Sequence, residues 1–99
     1  MNERQTLVNM LSQLLKEMEI VTSQGAGYYT CSPFAQRFNK LLGQARRLFD
    51  KQEGIISTFE EIDPTDPTDP ADKSKVLLGI RIEISQLIAL LESMEEQSA

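Results

Sequence analysis

Apolar residues recur along this chain at alternating three- and four-residue steps in three separate stretches. The longest runs from Pro33 to Ile62, where Phe34, Phe38, Leu41, Ala45, Leu48, Ile55, Phe59 and Ile62 keep one seam, interrupted only by Gln52. Leu42, Phe49 and Ile56 lie one position beyond seam residues, widening it to the face of a helix in a globular bundle. The spacing predicts one helix over 33–62, bent if anywhere at Gly54. Such a rod, about 45 Å long, needs other elements to cover it.

Two other stretches supply them. Leu7, Leu11, Leu14, Met18 and Val21, broadened by Val8, Met10 and Leu15, predict a first helix over 3–23. Gly25 and Gly27 follow as its terminator, since glycine takes the positive φ that closes a helix. Leu77, Ile80, Ile84, Leu87, Leu91 and Met94 predict a last helix over 70–96. On that helix Leu78, Ile82 and Ala89 fall together on a different side, at about 100° per residue. One core cannot easily cover both sides, so this second stripe is expected to meet another copy of the chain.

Local chemistry fixes the joints. Ser32 is the expected N-cap of the central helix, with Pro33 at its first position. Between the central and last helices Asp-Pro occurs three times at a spacing of three, at Asp63, Asp66 and Asp69. Proline at that density forbids helix, so residues 62–69 form an extended connector, and Asp69 caps the last helix. The expected architecture is all-α: a three-helix up-down-up bundle, one domain over 1–99, and homo-oligomeric.

Composition removes most chemistry. With no histidine and one cysteine, the commonest general base and the usual zinc sites are missing. No phosphate loop, dinucleotide fingerprint or nucleophile elbow occurs. Neither an enzyme nor a cofactor or metal site is expected. The aspartates of the repeat lack the alternation, glycine and final glutamate of a calcium loop. They read as turn caps. Apolar runs are too short to span a bilayer and the first residues have no signal-peptide layout, so a cytoplasmic protein without a membrane partner is expected.

The net charge of −5 opposes nucleic-acid binding, yet it conceals a division. Residues 33–53 carry net +3, whereas residues 60–72 carry six acids and no base. Arg37, Lys40, Arg47 and Lys51, with Gln44 among them, form one ridge of the central helix. Loose pairing with Glu17, Glu83 or Glu92 on neighbouring helices is expected for them.

A non-enzymatic helical interaction or oligomerisation module is therefore the leading functional expectation. Its candidate surfaces are the stripe of Leu78, Ile82 and Ala89 and the ridge of Arg37, Lys40, Arg47 and Lys51, the latter suited to an acidic helical partner. One alternative is a small-molecule or anion binder using the loop of Gly25, Gly27, Tyr28, Tyr29 and Cys31, where a helix N-terminus and two phenols come together. In that loop, buried packing is the plainer role for Cys31 and capping of the bundle end the plainer role for the tyrosines. The other alternative is a nucleic-acid accessory protein using the basic ridge, although no aromatic residue is interleaved there for stacking.

Overall fold

The structure, a computed structural model, describes residues 3–23, 31–48 and 53–98. Among them every regular element is helical: α1 (Glu3–Thr22), α2 (Ser32–Leu48), α3 (Glu53–Ile56) and α4 (Pro70–Ser98). The predicted seams face one shared core. Leu11, Met18, Phe38, Leu42, Ile80, Ile84, Leu87 and Leu91 are buried there, and among the described residues no polar or charged one is buried with them. α1 packs on both α2 and α4, and α2 on α4.

The central helix is shorter than its pattern implies. It ends at Leu48, the single turn α3 follows, and residues 57–69 are not helical, so the helix expected over 33–62 is corrected. Hydroxyls end the last turn. Ser57 Oγ donates to the Gly54 carbonyl (2.8 Å) and Thr58 Oγ1 to that of Ile55 (2.7 Å), satisfying acceptors a continuing helix would have used. Thr22 and Ser23 close α1 in the same way, bonding the carbonyls of Glu19 and Ile20. The glycines expected to do so, Gly25 and Gly27, lie outside the described residues. Ile55, assigned to the buried seam, is exposed, whereas Phe59 is buried and Ile62 half-buried. A three-residue step keeps one edge in a threefold extended chain as well as one side of a helix. Phe59 and Ile62 therefore reach the core without helical backbone.

Residues 59–66 run back along α2 and are held to it at three heights. Arg46 Nη2 donates to the Phe59 carbonyl (2.9 Å). Asn39 pairs with the backbone of Ile62 in both directions, donating to its carbonyl (2.8 Å) and accepting from its N–H (2.7 Å). The Asp66 carboxylate accepts from the N–H groups of Cys31 and Ser32 at the start of α2. Lengths agree: Arg46 to Asn39 is about 10.5 Å of helix rise, matched by three extended residues at about 3.3 Å each. Asn39 to Cys31 is about 12 Å, matched by the four residues from Ile62 to Asp66 at about 3.1 Å each.

This return overturns the up-down-up order. α4 begins just beyond this returning strap, residues 59–66, and the Cys31 thiol reaches the Lys73 carbonyl (3.4 Å), so α2 and α4 set out from the same end of the molecule. α1 opposes both, because Arg4 Nη1 lies 3.5 Å from the Leu91 carbonyl near the far end of α4. Asp69 caps α4 as expected, its carboxylate accepting from Ala71 N–H (2.9 Å). Ser32 does not cap α2. The first helical acceptor is the Cys31 carbonyl, bonded by Ala35 N–H, and the carboxylate of Asp66 supplies the cap from 34 residues away in the chain.

Asn39→Ala removes both bonds that tie Ile62 to α2 and leaves its backbone groups unpaired. A loss of about 1–3 kcal/mol is expected in urea unfolding, with α1 and α4 keeping their helix signal at low denaturant.

Candidate functional site

Asn39 and Arg46 occupy the side of α2 that carries the strap. At about 100° per residue, Arg37 and Gln44 fall on the opposite side, next to α1, with Lys40 and Arg47 about a quarter-turn round from Asn39 on the outer face. Between the two helices lies an open groove of about 690 Å³. Leu7 and Leu41 form its floor and Met10, 42% exposed, stands in it. Arg37, Lys40, Gln44 and Arg47 form the α2 rim, which Gly43 and Asn39 continue toward the strap, and Glu3 and Thr6 lie on the α1 side.

The three cations on that rim have no carboxylate within ion-pairing distance among the described residues. The pairing expected with Glu17, Glu83 or Glu92 is thus not formed. Those carboxylates sit on α1 and α4, while the nearest dense acid, residues 60–72, is drawn to the other flank of α2. Arg46 alone is engaged there, 3.9 Å from Glu61, an exposed contact of little energetic weight. Lys51, the fourth member of the ridge, lies outside the described residues.

Of the expected ligand loop, Gly25, Gly27, Tyr28 and Tyr29 also lie outside the described residues. Cys31 is described and is buried, 1% exposed. Burial pushes its thiol pKa above the ordinary value and the neighbouring Asp66 carboxylate adds to the rise, while the Lys73 ammonium opposes it. The helix N-terminus does not prevail, because Asp66 already occupies it. A thiol held protonated and closed from solvent is a packing group.

The aspartates of the repeat act separately. Asp63 accepts from Thr65 N–H (2.9 Å), which together with the Thr65 hydroxyl holds its carboxyl below the usual range. Asp66 caps α2 and Asp69 caps α4. Among the described residues, no three acidic or cysteine side chains converge as a metal site would require.

The stripe on α4 lies where its spacing put it. Leu78 and Ile82 are 54% and 53% exposed and Ala89 is exposed, on the side away from the core. Ile82 also edges a hollow of about 780 Å³ between the strap and α4, lined by Ile62, Pro67, Val76 and Gly79. The sequence marked neither this hollow nor the α1 wall of the basic groove. The spacing places Met10 on the broad apolar face of α1, and only the pairing of α1 with α2 turns it into the groove. No described helix is long and apolar enough to cross a membrane. Comparison with protein-family models, with curated proteins and with solved structures gives no match.

Two outcomes follow from this geometry. A Cβ at Gly43 would meet nothing within 4 Å, so Gly43→Ala should raise the urea midpoint by an equivalent of about 0.5–1 kcal/mol, the helix-propensity gain; a loss would mean the groove is filled. For Cys31, the folded chain keeps the thiol proton to higher pH than the unfolded chain does. Stability should therefore fall as pH rises above about 8.5, an ordinary thiol value. Cys31→Ala should have a shallower alkaline decline, read from urea midpoints across that range.

Proposed function

We propose that this chain is a non-enzymatic helical interaction module whose three long helices form the bundle and whose copies associate through the outward side of α4. One observation carries this reading: α4 has more apolar surface than the fold can bury. Leu77, Ile80, Ile84, Leu87 and Leu91 already fill its inward side, leaving Leu78 and Ile82 more than half exposed with Ala89 in line. Two large aliphatic residues one turn apart on a straight helix are the usual beginning of a helix-to-helix contact. The hollow beside Ile82 extends the apolar area toward the roughly 800 Å² per partner that a stable interface needs. Among the described residues the reactive candidates are engaged: the Cys31 thiol is buried, and Asp63, Asp66 and Asp69 accept backbone N–H bonds.

Equilibrium sedimentation at micromolar concentration should give an assembly larger than one chain. Ile82→Asp should shift it to the monomer while circular dichroism shows unchanged helix content. A wild-type monomer, or an Ile82→Asp protein of unchanged mass, contradicts the reading.

A further inference from the structure

The basic groove is on a different face from the α4 stripe and stands whether or not that stripe is covered. Within a chain of net charge −5, Arg37, Lys40 and Arg47 are gathered on one flank of α2 with no carboxylate paired to them among the described residues. They border an apolar floor on which Met10 is 42% exposed. Methionine is unbranched and adapts to varied apolar partners. Cations above an apolar floor call for a ligand with both characters: carboxylates on one side, aliphatic groups on the other.

We infer that the α1–α2 groove binds an acidic amphipathic helix of a partner protein. The groove lies between two antiparallel helices, and a third helix laid along it would repeat, on the outer side, the packing that α4 makes on the inner side. Arg37 to Arg47 spans about 15 Å, three helical turns. Glutamates at alternating three- and four-residue steps along a partner helix would face Arg37, Lys40, Gln44 and Arg47 in turn. Gly43 leaves open space on that rim, so the partner's backbone can approach closely.

The chain's own acidic strap is a poor occupant. It is extended, and Asp63, Asp66 and Asp69 already accept hydrogen bonds from the N–H groups of Thr65, Cys31 with Ser32, and Ala71. A nucleic acid fits less well, because among the described residues no aromatic side chain lines the groove to stack a base.

Fluorescence anisotropy with the full chain tests this at low salt. The probe is a labelled peptide of about fourteen residues, enough to cover the 15 Å rim, with glutamates at alternating three- and four-residue steps and leucines on the adjoining face. Its comparators are a scramble of the same composition, the same peptide with a central proline, and a single-stranded oligonucleotide. The helical acidic peptide should bind tightest, and raised salt should weaken it. Arg37→Glu with Arg47→Glu should weaken it by about tenfold or more, as for the loss and reversal of two exposed pairs. Gly43→Trp should block it sterically, with circular dichroism confirming that both variants keep their helix content. No binding, equal binding of the scramble or the proline peptide, tighter binding of the oligonucleotide, or folded variants that bind as wild type would each overturn the inference.

Discussion

The topology depends on the hold that α2 keeps on the extended segment after α3. Pro64 and Pro67 bar helix there, and a chain in extended form covers about twice the axial distance per residue that a helix does. Eight residues, Phe59 to Asp66, therefore retrace what takes sixteen in α2, from Arg46 to Cys31. Bonds from Arg46, from Asn39 and to Asp66 fix the register at three heights. The chain is then delivered to the end where α2 began, and α4 has to run alongside α2 in the same direction.

That delivery also sorts the charge. The strap carries the acidic run along the flank that presents Asn39 and Arg46, and Asp66 and Asp69 cap two helices. α2 keeps its other cations on its outer face and the flank beside α1, where no acid among the described residues pairs with them. An acidic protein thus presents a basic groove, as a consequence of one crossover rather than of composition. At physiological salt, charges more than about 8 Å apart are largely screened, so the groove acts through its local charge. The molecule measures 45 × 23 × 15 Å, long enough for the two flanks to serve different contacts.

Much of this was legible in residue spacing. The seams of α1, α2 and α4 identified the core, and Leu78, Ile82 and Ala89 lie outward as their phase required. Residues 57–62 carry a helical spacing without a helix for a physical reason: Phe59 and Ile62 satisfy a step of three in both helical and threefold extended backbone. The hydroxyls of Ser57 and Thr58 were the available sign of a helix end, since the same pair of residue types closes α1. The partnership of Asp66 with the start of α2 was beyond any local signal. Capping motifs are read within a turn, and this one spans 34 residues. The groove was half visible, as a basic ridge, because Met10 and Gly43 gain meaning only once α1 lies beside α2.

Spin labels separate the two helix orders directly. In a Cys31→Ala background, one label at Gln36 near the start of α2 can be paired with a second at Ser74 or at Ser93, exposed sites toward the two ends of α4. Electron double resonance should give a 36–74 distance shorter than the 36–93 distance by about 10 Å, since for two helices running the same way the axial offsets differ by about 16 Å and the lateral separation common to both pairs absorbs the rest. A 36–93 distance shorter than 36–74 would place α2 and α4 antiparallel and contradict the return of the chain along α2.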